Sequence, residues 1–221
     1  MYRLLILFLF FGFMACNNTP KGEQAQVSDA ATEAQADEAT AVDGDVYNVD
    51  LAASELTYEG SKPTGKHSGN VNFKSGNVIV KDGEIVGGTA VFDMSSIDDK
   101  TTEGEYNQKL EGHLQSADFF DVANFPESKF EFLSIAKKEN STDGTTHTLT
   151  GNMTIKDVTK QLSFGVNVMQ DGDKYIISAP QFVFDRTDFG LKYNSKKFFS
   201  DIADKVIYDE IGISFKMVAG K

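Results

Sequence analysis

From Val46 to the C-terminal end, the chain is built from short runs of β-branched and aromatic residues separated by Gly, Asp and Asn, with almost no helical periodicity. That pattern leaves one broad solution, an all-β domain whose strands close on one another to bury a shared face. Three stretches alternate clearly enough to name that face. They are Leu162, Phe164, Val166 and Val168; Leu149, Met153 and Ile155; and Ile207, Ile211, Ile213, Phe215 and Met217.

Asp82-Gly83 between residues 77–81 and 84–94, and Asp171-Gly172 between 161–169 and 174–184, are suited to turns with positive φ and predict two hairpins. Further strands are predicted over 54–60, 69–74, 129–136, 147–155 and 206–217. The total is about eight or nine, spaced as in a meander closed into a barrel. Gly87-Gly88 interrupts a strand without a following helix, which reads as a bulge or barrel bend rather than a dinucleotide loop. Over 103–120, Tyr106, Leu110 and Leu114 recur at helical spacing, and Ser116 caps a short turn through Phe119-Phe120, so a helical insertion is predicted there.

The N-terminal end is different in kind. Met1-Tyr2-Arg3 leads into a small or apolar run from Leu4 to Ala15, which ends at Cys16 and gives way to Asn17-Asn18-Thr19-Pro20. As a helix, about a dozen such residues span roughly 18 Å, too short for the ~30 Å hydrocarbon core. Residues 1–15 therefore read as a signal peptide. The junction resembles the lipobox of bacterial lipoproteins, which implies acylation of Cys16, export, and anchoring in the periplasm or at the outer membrane or cell surface. The alternative is a soluble secreted chain cut nearby, with Cys16 lost or a free thiol. As the only cysteine, Cys16 has no partner for a disulfide within the chain.

Residues 16–45 complete the leader as an acidic flexible linker. Past Cys16 they lack aromatic residues and are rich in Ala, Glu, Asp, Gln and Thr, too polar to offset the entropy of ordering. Seven acidic residues against Lys21 place about half of the formal net charge of −12 here, so the acidity describes the tether more than the domain. Nucleic acid is not an expected partner, because a basic face is missing. Residues 46–219 form the folded domain.

Several phrases within that domain are specific when taken together. They are Gly-Ser-Lys-Pro-Thr-Gly-Lys-His-Ser-Gly at 60–69, Val86-Gly87-Gly88-Thr89 leading to Phe92-Asp93-Met94, and Leu110-Glu111-Gly112-His113-Leu114 running on through Ser116-Ala117-Asp118-Phe119-Phe120-Asp121 to Phe125-Pro126. Leu149-Thr150-Gly151-Asn152-Met153-Thr154-Ile155 and Phe184-Asp185-Arg186-Thr187-Asp188-Phe189-Gly190 continue in order. The pattern resembles the YceI-like family over about residues 46–219. The resemblance implies an eight-stranded antiparallel lipocalin-like barrel that accommodates a polyisoprenoid or other lipid chain, of polyisoprenoid or isoprenoid-quinone type, without covalent chemistry. The segment at 62–66 departs from the family's more hydrophobic approach to the histidine, which leaves the ligand's identity open.

The side-chain inventory suits both a hollow and a filled interior, since the chain has 18 Phe, 6 Met and no Trp. Candidate lining residues are Phe92, Met94, Phe130, Phe132, Met153, Phe164, Val166, Phe182 and Phe184, with Phe119 and Phe120 at one mouth. His67, Arg186 and Asp188 are the candidates for a polar head group at the rim, the alternative being an Arg186–Asp188 pair that locks a turn. No nucleophile elbow, phosphate loop or metal-ligand spacing is present, and His67, His113 and His147 are far apart in sequence. A cofactor-free, non-catalytic lipid binder is therefore expected, with a homodimer left open. The rival reading is a structural or interaction lipoprotein whose barrel is filled by its own side chains.

Overall fold

The computed structural model describes residues 18–30, 43–139 and 141–221, with the side chain of Asp204 outside the description. The expected signal peptide, Cys16 and residues 31–42 of the linker lie outside the described residues. The strands in chain order are β1 (Glu23–Gln24), β2 (Gln26–Asp29), β3 (Asp45–Val49), β4 (Glu55–Lys62), β5 (Gly65–Lys81), β6 (Glu84–Asp99), β7 (Glu127–Lys137), β8 (His147–Ile155), β9 (Val158–Asp171), β10 (Lys174–Asp185) and β11 (Glu210–Gly220). Among the described residues, one α-helix, α1 (Gly104–Gln115), lies between β6 and β7, and two short 3-10 turns, Arg186–Phe189 and Ala203–Lys205, lie between β10 and β11.

Strands β4 to β11 pair antiparallel in sequence order, and β11 pairs back onto β4, so the sheet closes as an eight-stranded barrel. Closure, completed by β1 and β2 where β9 and β10 do not pair directly, covers sheet edges that would otherwise invite aggregation. Both predicted Asp-Gly turns are present, with Asp82 and Gly83 at φ 53° and 81° and Gly172 at φ 61°. The predicted strands at 69–74 and 77–81 are one continuous strand, β5. It pairs first with β4 and then with β3, and register shifts against β6 let it bend round the barrel. Gly87-Gly88 lies beside one of these shifts, and a Cβ on Gly88 would meet the Asn77 carbonyl oxygen at 2.5 Å.

The helical insertion is also present, but Tyr106 is 79% exposed and is not part of the buried stripe. Leu114, further along α1, packs against the core. Ser116 ends the helix, its hydroxyl donating to the His113 carbonyl at 2.7 Å, and Phe119 N–H donates back to the Ser116 carbonyl.

The linker expectation needs correction over 23–29. These residues are strands β1 and β2, paired parallel with β10 and antiparallel with β9. Composition measures only whether a segment can build its own core. Here the barrel supplies the partner backbone and a buried slot for Ala25, which is 3% exposed.

The interior is divided along the barrel axis. Toward the β5–β6 and β9–β10 turns it is solid, with Val78, Leu149, Val166 and Ile177 wholly buried. At the other end, beneath α1 and the 186–209 loop, side chains line the walls without filling the centre.

Candidate functional site

Inward-facing positions of β4 to β11 enclose an apolar cavity of about 650 Å³. Its size falls in the range of small-molecule sites, which are usually apolar with a few placed polar groups. Ala90 on β6 lies at the floor, where its cross-strand partner is Gly76 and the solid half begins. Phe92 and Phe73 meet on one wall with ring centroids 5.0 Å apart. Opposite, Phe164 and Phe182 stack in parallel at 4.1 Å, and Phe130 tilts against Phe164 at 5.6 Å. Leu110 and Leu114 of α1 face the cavity beside Phe119 and Phe120. His113, Phe119 and Tyr193 form a three-ring cluster with centroids 4.7 to 5.2 Å apart.

Of the sequence-derived candidates, Phe92, Met94, Phe119, Phe120, Phe130, Phe132, Met153, Phe164, Phe182, Phe184, His67 and Arg186 all border the cavity. Two do not. Val166 has the correct face but lies two residues along β9 into the solid half, which period-two alternation alone does not distinguish. Asp188 is exposed on the short turn after β10, away from the cavity.

Arg186 is not paired with Asp188. Its side chain is 1% exposed, and its Nη2 lies 3.3 Å from Asp209 Oδ1. It also donates to the carbonyls of Tyr208 at 3.2 Å, Tyr193 at 2.9 Å and Ile207 at 3.2 Å, and to that of Leu191. Burial pulls its pKa below the ordinary value, opposed by Asp209 and Asp185. One guanidinium thus gathers both ends of the 187–209 loop and fixes one rim of the cavity. Asp185 caps the turn by accepting from Thr187 N–H at 2.8 Å, and it also pairs with Lys197.

Polar groups also collect where β5 and β6 reach the mouth of the cavity. His67 Nδ1 lies 3.0 Å from Thr101 Oγ1 and 3.8 Å from Asp99 Oδ1. The Thr101 hydroxyl donates its one proton to Asp99, so its bond with a neutral His67 requires Nδ1–H as donor and leaves Nε2 an acceptor. Burial lowers the His67 pKa, outweighing the pull of Asp99, and Lys62 lowers it further. Asp99 itself is buried and also accepts from Thr102 N–H and Oγ1 at 2.9 and 2.6 Å.

Two hydroxyls bordering the cavity, Tyr58 Oη and Ser61 Oγ, are buried without a hydrogen-bond partner among the described residues. Burial pushes the Tyr58 phenol up, helped by the negative charges of Asp99, Glu111 and Asp98. Tyr58 thus stays a protonated donor, and a buried donor without an acceptor costs about 1–3 kcal/mol. Sequence reading missed this pair. Residues 54–60 were read as a strand, but no signal in the sequence marks a hydroxyl as unsatisfied, because that depends on what the fold brings beside it.

A closed antiparallel barrel that is solid at one end, hollow and apolar at the other and covered by a helix belongs to the lipocalin-like class of barrels. Residues 47–219 match the YceI-like domain, and the chain belongs to that family. It is 38% identical over 61 residues to the YceI proteins of Salmonella arizonae and Salmonella newport, a match that spans 28% of this chain and 29% of theirs. Among solved structures it resembles BcnA of Burkholderia cenocepacia, at TM-score 0.60 and 21% identity over 77% of this chain and 99% of that one. It also resembles a polyisoprenoid binding domain from Saccharophagus degradans implicated in plant cell wall breakdown. That match has TM-score 0.59 and 14% identity over 79% of this chain and 97% of the other. At these identities both likenesses establish the fold.

Proposed function

We propose that this protein binds and carries one long apolar molecule, an isoprenoid or related lipid with a single polar end, without catalysing a reaction on it. The observation that carries the reading is the apolar, half-hollow barrel interior with its few polar groups at the rims. The polyisoprenoid-binding neighbour adds support from a protein of the same fold. A cavity of about 650 Å³ corresponds to about twenty water-sized units at roughly 30 Å³ each. At roughly 0.8 kcal/mol per buried methylene, that gives ~16 kcal/mol before association costs of roughly 4–15 kcal/mol. Hydrocarbon burial alone is therefore enough for capture, and the rim sets which head group is tolerated.

The reading includes export and acylation at Cys16, which would keep the carrier beside a membrane that supplies its cargo. Native mass spectrometry of the chain after mild extraction is expected to show a retained lipid mass. Mass spectrometry of the mature N-terminus is expected to show an acylated Cys16. A protein that neither retains a lipid nor binds a polyene fatty acid after delipidation overturns the carrier role and favours a structural or interaction lipoprotein.

A further inference from the structure

The barrel's own eight strands do not close it along its full length. Direct pairing of β9 with β10 covers only Asn167–Asp171 against Lys174–Ser178. Beyond Ser178, β10 no longer pairs directly with β9; Ala179 still pairs with Phe215 of β11, and β10 then bulges at Pro180-Gln181 before rejoining β11 at Phe182. Proline cannot donate to a ladder, so direct pairing ends easily there.

Residues 22–29 fill the resulting seam. Gln26 to Asp29 run against Ser163 to Lys160 of β9, Glu23 and Gln24 run alongside Phe182 and Val183 of β10, and Ala25 N–H donates to the Val183 carbonyl at 2.8 Å.

The segment is shaped for this slot. A Cβ on Gly22 would lie 2.4 Å from the Gln181 carbonyl oxygen, so only glycine passes there. Gln181 Nε2 donates to the Lys21 carbonyl at 2.8 Å, and Ala25 is buried. Val27 packs against the core, and the other side-chain attachments are weak. Lys160–Asp29 at 2.7 Å and Lys138–Glu23 at 4.0 Å involve exposed acids, and the segment's remaining side chains are mostly polar and comfortable in water. Immediately behind it lie the cavity walls themselves. Leu162, Phe164, Phe182 and Phe184 border the cavity on the two separated strands, and the stacked rings of Phe164 and Phe182 bridge the gap.

We infer that residues 22–29 act as a removable stave. Docked, they complete the barrel wall. Released, they open the apolar cavity sideways between β9 and β10, and a hydrocarbon chain passes once the Phe164 and Phe182 rings rotate apart. The access role rests on the carrier reading above, whereas the opening of the seam does not.

The test uses the full chain with Cys16→Ser, so that only introduced thiols pair. Ser28→Cys with Gln161→Cys places cysteines on directly opposed residues of an antiparallel pair, within reach of a disulfide. Gly22→Val provides the opposite perturbation. The probe is a polyene fatty acid whose fluorescence rises in apolar surroundings, followed by stopped flow. Amide hydrogen exchange is followed in parallel.

The oxidised lock is expected to slow uptake and release together by an order of magnitude or more, with affinity unchanged and the rates restored by reduction. Gly22→Val is expected to speed both. The amides of Ala25 and Val27 are expected to exchange ahead of the β7–β8 ladder. Equal probe rates in the oxidised and reduced lock overturn the access role. Exchange of Ala25 only with global unfolding overturns the stave itself. A chain that binds no probe, yet exchanges early at Ala25, overturns the carrier reading and the access role together while the opening of the seam stands.

Discussion

Ala90 offers a direct test of whether the hollow half of the barrel is the binding site. It is 3% exposed at the cavity floor, opposite side-chain-free Gly76 on β5 and Phe130 on β7. Replacing Ala90 with Leu adds about three methylene-sized groups to open space, so it displaces a similar length of any hydrocarbon that fills the cavity. At roughly 0.8 kcal/mol each, the lost burial is ~2.4 kcal/mol, or about a 50-fold weaker Kd. Because the new side chain enters space rather than packed atoms, folding stability should change by less than ~1 kcal/mol. Ala90→Phe should extend the series to a larger loss. The assay is fluorescence titration of delipidated protein with a polyene fatty acid, paired with urea denaturation of the same samples. A folded Ala90→Leu protein that binds as tightly as the parent would show that the ligand lies elsewhere and would refute the reasoning.

Arg186→Ala should cost about 3–5 kcal/mol, because it strands Asp209 and four carbonyls around a buried position, and urea midpoints measure it. Gly151→Ala would bring a Cβ to 2.3 Å from Phe130 and 2.5 Å from the Glu131 carbonyl oxygen, so a loss of about 1–3 kcal/mol is expected in the same assay. Tyr58→Phe removes an unpaired buried hydroxyl, so the ligand-free protein should be as stable or more stable while affinity for a lipid with an acceptor head falls, read by denaturation and by titration. For pH, the His67 pKa is held below its ordinary value of 6.5 by burial, so the unfolded chain binds that proton at higher pH than the folded one. Its contribution is fully present above 6.5 and is lost as pH falls through the folded value. Denaturation midpoints between about pH 7.5 and pH 5 should show this slope, and His67→Gln should reduce it. His147 shifts the same way, through burial first and Lys137 second, so some slope should persist in that variant.

Local alternation and turn chemistry were enough to read the eight barrel strands, with β5 in two pieces, both Asp-Gly hairpins and the helical insertion, because each depends on residues close together in the chain; β1, β2 and β3 were not read. They also marked most of the aromatic residues bordering the cavity, since a side chain's face is fixed by period two. Depth along the barrel axis is a different coordinate. Val166 and Phe164 share a face, yet one is in the solid half and the other borders the hollow half. Pairing between distant segments was equally hidden. Arg186 bonds to Asp209 and the loop carbonyls rather than to neighbouring Asp188, because the chain returns to it only when the 187–209 loop folds over.

The N-terminal segment draws the same line most clearly. Its composition gives residues 22–29 too little apolar surface to build a core of their own. Whether they are ordered depends on the stretch beyond Ser178 where β9 and β10 no longer pair directly, a gap that exists only in the folded barrel. The amino-acid sequence by itself determined the class of sheet and the inward faces of its strands, because alternation is a local property. Only the tertiary structure decided where the interior is empty, which charge meets which, and that a polar leader completes the wall, because these are properties of space between strands that no single stretch of chain contains.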